Sequence, residues 1–323
     1  MAVYTEVSDE SLKAFVAQYD IGEIQSCKGI AEGVENSNYH LQTTRGSYIL
    51  TLYEKRVNPA DLPFFLGLMD YLAGKGFPCP VPIHGSDGES LRNLSDKPAA
   101  LISFLSGLWP KAITPSHCYA VGAAAAKMHI AAEGFSLNRE NRLDKSAWKE
   151  LSCETENQAD QIKVGLADTI KEELEFLDKN WPKKLPSGII HADLFPDNVF
   201  FLQNKLSGII DFYFACNESF AYELAICLNA WCFETDGRFN TTKASNLVEG
   251  YKSIRPLNIN EIHALPVLAR GSSLRFLLTR LFDLLNQSEG ALVNPKDPLE
   301  YLRKLQFHQN ISGVQAYGLR SGL

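Results

Sequence analysis

The sequence predicts an α+β chain of two unequal lobes, on three observations. Short strand-like segments broken by turn residues fill the first 105 positions, and long apolar patterns of helical period fill 106–323. No internal repeat or low-complexity linker separates the two textures, so the boundary is drawn as 1–105 and 106–323. With 323 residues, 45% hydrophobic and 11% aromatic, the chain can bury a sizeable core.

The elements follow in order. Leu12, Phe15, Val16 and Tyr19 stand at helical spacing behind Asp9-Glu10, predicting a helix from Ser8 to about Tyr19. Segments 24–30, 37–43 and 47–53 read as a β-meander, interrupted by the Gly33 stretch and by Thr44-Arg45-Gly46. Asn58-Pro59 is a cap and first-turn pair for a helix over 59–74 with Phe64, Phe65, Leu68, Met69 and Leu72 on one face. Strands over 81–84 and 98–104 complete the first lobe. In the second lobe, Thr114-Pro115 opens a helix to about Ala132, and further helices are expected over 155–180, 219–234 and 261–287. The run Gly122 to Ala126 would let two backbones approach closely, and a cleft is expected where 103–107 joins the lobes.

Charge and cysteine usage exclude several classes of function. Against 31 Lys+Arg stand 38 Asp+Glu, a formal charge of −7, and the longest basic run is Lys183-Lys184. A nucleic-acid surface needs clustered cations, so none is expected. The seven cysteines form no C-x-x-C pair and no histidine lies at ligand spacing from a cysteine pair, which argues for free thiols in a reducing cytoplasm and against zinc. The N-terminus reads as no signal peptide, and no apolar run approaches the roughly 18 residues of a membrane helix, so neither export nor a membrane partner is expected.

The chemistry concentrates in Gly188-Ile-Ile-His191-Ala-Asp193-Leu-Phe-Pro-Asp197-Asn198 and in Leu206-Ser-Gly-Ile-Ile-Asp211-Phe212-Tyr213. The apolar segments 199–202 and 206–210 read as a hairpin around the turn Gln203-Asn204-Lys205. A turn centred between Asn204 and Lys205 would set Asn198 opposite Asp211. Two such oxygen donors suit Mg²⁺, which takes few protein ligands and completes its shell with water and phosphate oxygens. Asp193, on the preceding loop, would project toward the same place.

This set, His191, Asp193, Asn198 and then Asp211-Phe212, resembles the catalytic loop and metal-binding Asp of the protein-kinase-like superfamily. The His-Ala-Asp form, with Tyr213 in place of the usual Gly, looks like the branch of aminoglycoside phosphotransferases and choline kinases. Within that branch, the run from Asp211 to Glu234 is similar to homoserine kinases. The resemblance implies a bilobal fold with an N-terminal antiparallel sheet plus helix and a mainly helical C-terminal lobe. It implies as activity the ATP- and Mg²⁺-dependent phosphorylation of the L-homoserine hydroxyl, a step of threonine biosynthesis. Under it, Asp193 orients the hydroxyl and accepts its proton, and His191 orients the loop. Asn198 and Asp211 hold Mg²⁺. Gly33, Val34, Asn36, Ser37 and Asn38 cover the phosphates, and Phe104 contacts adenine.

Two departures keep alternatives open. Thr51 stands where the kinase pattern places a phosphate-binding Lys, with Lys55 as a distant substitute, and the helix over 59–74 offers no Glu partner. These departures motivate a nucleotide-binding pseudokinase as one competing reading; within the enzyme class the other is a kinase for another small alcohol, such as an aminoglycoside, choline or methylthioribose. An amino-acid substrate needs a partner for each of its charges. Arg270, Arg275 and Arg280 are candidates for the carboxylate, Tyr213 and Glu218 for the ammonium. Glu223 reads as a structural cap or ion-pair partner. The sequence leaves the oligomeric state open.

Overall fold

Ser8 starts the first helix because its hydroxyl accepts the Ser11 N–H, with Asp9 and Glu10 complementing the positive helix end. In this computed structural model, which describes residues 5–30, 36–54, 57–287 and 295–319, that helix is α1 (Asp9–Val16). Leu12, Phe15 and Val16 pack, with Tyr19 and Ile21, against Leu41, Leu50, Leu52, Leu94, Ala99 and Leu101. Each fully buried side chain of this size contributes about 1.5–3 kcal/mol, which fixes α1 on one face of the sheet. The sheet is antiparallel, with strands β1 (Ile24–Gly29), β2 (Ser37–Thr43), β3 (Gly46–Leu52), β4 (Leu91–Leu94) and β5 (Lys97–Ser103) in the order β1-β2-β3-β5-β4.

The expected strand over 81–84 is not one. Pro80 and Pro82 lack the N–H a ladder requires, and only a single bridge forms, Pro82 with Ile102. The fifth strand is instead β4, joined to β5 by Ser95-Asp96, both at positive φ (52° and 59°) as a two-residue hairpin turn demands. Asn58 caps one 3₁₀ turn, Pro59–Asp61, before α2 (Leu62–Gly74). One compact unit comprises the chain to Gly107 together with Gly134–Leu137 and Ser207–Tyr213; the rest forms the second.

In the second unit, Thr114 caps α3 (Pro115–Ala131). The single helix expected over 155–180 is two, α4 (Lys145–Ile162) and α5 (Leu166–Asn180), because Gly165 turns left-handed at φ 78° between them. A pair of short strands absent from the sequence reading, β6 (Ser187–Ile190) and β9 (Cys216–Ser219), runs antiparallel with Ile190 opposite Cys216. The hairpin is β7 (Val199–Leu202) and β8 (Lys205–Ile209). Helix α6 (Phe220–Trp231) is buried almost all round, which makes it the centre of this unit. It packs on α8 (Ile259–Leu285), which in turn packs on α9 (Pro298–Gln309). Helix α7 (Thr241–Lys252) lies against α3 at a glycine crossing: a Cβ on Gly122 would collide with the Leu247 carbonyl, and one on Gly250 with the Tyr119 carbonyl. The close approach expected at Gly122 is therefore present. Among the described residues, no helix is long and apolar enough to cross a membrane.

Candidate active site

The loop between β6 and β7 runs from His191 to Asn198, and side chains take up its backbone polar groups in turn. Both the His191 and Ala192 N–H groups donate to Glu223 Oε2 on α6, the latter at 3.2 Å. The Asp193 N–H donates to His191 Nδ1 at 3.3 Å. On the carbonyl side, Arg275 Nη1 donates to Ala192 O at 2.8 Å, Asn198 Nδ2 to Asp193 O at 2.8 Å, and Trp231 Nε1 to Leu194 O at 2.8 Å. These contacts hold Ala192 at φ 61°, a left-handed conformation unusual for a residue with a side chain. The 3₁₀ turn Pro196–Asn198 then delivers Asn198 back to Asp193, with Nδ2 also 3.1 Å from the carboxylate Oδ2.

Burial raises the pKa of Asp193, and the charges of Arg275 and His191 oppose the rise. Asp197 adds to it and Lys296, beside Asp197 at 3.4 Å, counters it. Burial alone would also raise Glu223, yet His129, His191 and the Ala192 N–H together hold its carboxyl below the usual range. His129 Nε2 lies 3.9 Å from Glu223 Oε2, and burial depresses the imidazole while Glu223 raises it. Glu223 is thus an ionised carboxylate enclosed beneath the loop.

In the first unit, Gly33 and Val34, expected over the phosphates, lie outside the described residues, as does Lys55. Ser37 is fully buried, and its hydroxyl donates to Glu54 Oε1 at 2.6 Å. Asn36 Oδ1 accepts the Glu54 N–H at 3.3 Å, and Asn38 Oδ1 accepts the Thr51 hydroxyl at 2.8 Å. Thr51, in the position of the missing Lys, therefore belongs to a polar chain. Tyr213 extends it, with its hydroxyl 3.1 Å from that of Tyr53 and its ring edge-on to Tyr53 and Phe65. Burial raises both phenols, and the charge of Asp211 raises them further. Asp211 itself is exposed, at φ 65°. Phe104 is 47% exposed with its ring edge-on to His40.

Expectations change for the hairpin and for the side chains put forward for the substrate. The hairpin turn is the two residues Gln203-Asn204, at φ 51° and 62°, so it is centred one residue earlier than the spacing suggested, and Asp211 falls beyond the end of β8 rather than at a paired position. Arg270 is engaged by Glu173 through two bonds of 2.7 and 2.6 Å and stacks on Phe176; a guanidinium held this way is not offered to a substrate. Arg280 binds Glu300 at 2.7 Å. Arg275 is 1% exposed and faces the loop. Glu218 accepts from Asn141 at 3.3 Å and from the Ser219 N–H at 2.7 Å. Glu223 is the structural ion-pair partner the sequence suggested, beside His129; which backbone groups it takes up was not legible, since Tyr222-Glu223-Leu224-Ala225 looks like any helix start.

The geometry thus comprises Asp193 on a clamped loop, Asn198 returning to it, and the segment Asp211-Phe212-Tyr213 beside the antiparallel sheet. The chain belongs to the phosphotransferase enzyme family, whose profile (APH) matches residues 26–257. Within it the relatives are homoserine kinases: one from Paramagnetospirillum magneticum is 57% identical over 99% of this chain and 100% of its own length. That of Rhizobium rhizogenes is 58% identical over 99% and 100%. Among solved structures, the fold is shared with an amicoumacin kinase in complex with AMP-PNP and Ca²⁺ (TM-score 0.72, 16% identity, 95% of each chain) and with choline kinase from Cryptosporidium parvum (TM-score 0.65, 16% identity, 94% of each chain). The expected protein-kinase-like α+β fold is therefore present.

Proposed function

We propose that the chain transfers the γ-phosphoryl group of ATP to the hydroxyl of L-homoserine, giving O-phospho-L-homoserine for threonine biosynthesis. The observation that carries this reading is the identity of 57–58% with homoserine kinases from end to end. The loop supplies the chemistry. Asp193 Oδ2 is steadied by Asn198, and Oδ1 is the oxygen left to orient the acceptor hydroxyl and take its proton during in-line attack. His191 acts by holding the Asp193 N–H.

The residues fit a divalent cation that keeps most of its shell for water and phosphate. Asn198 has its amide nitrogen engaged by Asp193, which leaves its oxygen as the free donor, and Asp211 offers an exposed carboxylate. Mg²⁺ takes few protein ligands and completes its shell with water and phosphate oxygens. Asn198 and Asp211 are assigned to Mg²⁺, which when bound neutralises charge on the nucleotide phosphates. Asn38, whose Oδ1 is taken by Thr51, presents N–H donors suited to phosphate, and Phe104 presents apolar surface suited to adenine.

The test is a panel of alcohols with Mg·ATP, following ADP release and the phosphorylated product. Turnover of L-homoserine is expected, with choline, methylthioribose and aminoglycosides at background. Turnover of one of those alcohols instead, or nucleotide binding without turnover of any, would overturn the assignment. Asp193→Asn should lower kcat by about 10²–10⁴-fold while nucleotide affinity stays near that of the wild type.

A further inference from the structure

Helix α8 is lined with apolar side chains, Leu274, Leu277 and Leu278 among them, all fully buried. Arg275 stands in the middle of that row and is itself 1% exposed. A buried guanidinium is costly unless it is paired, and packing alone would be served by another Leu or Met. Among the described residues its Nη1 donates to Ala192 O at 2.8 Å, and its charge also bears on the buried Tyr222 phenol. Its Nε has no hydrogen-bond partner, and its flanks are the rings of Phe276 and Phe214, with centroids 4.6 and 5.7 Å from the guanidinium carbon. The charge bears on the Asp193 carboxyl and the Tyr222 phenol, while the Nη1 hydrogen bond runs to one peptide group.

That peptide joins Ala192 to Asp193. Arg275 holds its C=O end and His191 Nδ1 holds its N–H end, so its plane cannot rotate without breaking both bonds. The orientation of this plane sets the direction in which Asp193 leaves the backbone. We propose that Arg275 is a positioning residue of the kinase: it locks the Ala192–Asp193 peptide and so aims the Asp193 carboxylate at the acceptor hydroxyl. This rests on the reading of Asp193 as the proton acceptor. It also replaces the role of carboxylate binder that the sequence suggested for Arg275, since a side chain this enclosed meets the loop and not the substrate.

Misplacing a catalytic group by about 1 Å costs on the order of 10²-fold in rate, which sets the expected effect. In Arg275→Met, kcat should fall about 10²-fold while KM for L-homoserine and for ATP stays within about threefold. Arg275→Lys keeps the charge but not the reach of the planar guanidinium, so it should hold the Ala192 carbonyl only loosely and recover part, about a tenth, of the wild-type kcat. If the Met variant does not fold, the Lys variant carries the test through hydrogen exchange: its Asp193 amide should exchange faster than in the wild type. Combined with Asp193→Asn, either substitution should cost no further kcat, because both act through the same carboxylate. A raised KM for L-homoserine at unchanged kcat would return Arg275 to substrate binding and overturn the proposal. A lower melting temperature with wild-type kcat, an unchanged Asp193 amide in the Lys variant, or full additivity with Asp193→Asn would reduce it to packing and overturn it equally. Full activity in Asp193→Asn alone would remove the proton-acceptor reading, and the positioning role with it; an inactive Asp193→Asn beside a fully active Arg275→Met would remove only the latter.

Discussion

Replacing Glu223 by Ala should loosen the catalytic loop before it disturbs anything else. The side chain is fully buried and takes both the His191 and Ala192 N–H groups on one oxygen. Truncation leaves two enclosed donors without an acceptor, at about 1–3 kcal/mol each. It also releases Ala192 from a left-handed conformation that costs about 1–2 kcal/mol to maintain, and this relaxation offsets part of the loss. The net destabilisation is on the order of 1–4 kcal/mol. Glu223→Gln keeps an acceptor of the same shape; because Oε1 has no partner, its amide nitrogen gains none there, and the loss should be only about 1–2 kcal/mol. Amide hydrogen exchange at His191 and Ala192 reads the effect directly, with urea unfolding and kcat alongside. Exchange should be fast in the Ala variant and near wild type in the Gln variant, with kcat reduced at least tenfold only in the former. Wild-type exchange in Glu223→Ala, or a stability change within about 0.5 kcal/mol, would refute the clamp.

Two further outcomes follow from packing and charge. Gly122→Ala gains about 1 kcal/mol of helix propensity but drives a methyl into the Leu247 carbonyl, and overpacking of this kind costs about 1–3 kcal/mol; the melting temperature should fall, and a rise would show that α3 and α7 separate freely. Glu300 provides a pH signature. Burial would raise its carboxyl, but Lys304 and Arg280 pull it from 4.5 down to about 2. A depressed folded-state pKa means stability that is present above the unfolded value and lost as pH falls through the folded one, so the advantage over Glu300→Gln should disappear between about pH 4.5 and 2. With the Glu300 side chain 44% exposed and Lys304 itself lowered by burial, we expect about 1 kcal/mol rather than the full shift. Equal pH dependence in both proteins by urea titration would remove the ion pair from the stability of α9.

Local signals were legible and distant ones were not. Ser8, Asn58 and Thr114 announced their helices because a cap acts within three residues, and the polar residues of the His191 to Asn198 loop stand out because they are neighbours in the chain. The break at Gly165 was missed because the apolar period resumes on both sides of it. Leu91-Arg92-Asn93-Leu94 was missed because it lacks the β-branched and aromatic residues that mark strands. The hairpin turn sits one residue earlier than the spacing suggests, which moves the partner of Asn198 by two, since only the backbone reveals that Gln203 and Asn204 both turn left-handed. The groups that hold the loop, Glu223 and Arg275, lie some 30 and 80 residues downstream of it. Nothing at either position distinguishes a buried charge from an exposed one until the helices are packed.

The first unit is discontinuous, closing only with Gly134–Leu137 and Ser207–Tyr213. A ribosome therefore releases its meander early but withholds the last strip until about two thirds of the message has been read. Until then, the nascent sheet lacks Tyr213 and the contacts it makes with Tyr53 and Phe65. Domains made of one continuous stretch mature in order of synthesis; here the earlier half waits for the later one. A fragment ending at Gly107 is accordingly an unfinished unit, and excising either unit as a single contiguous piece would sever segments on which it depends.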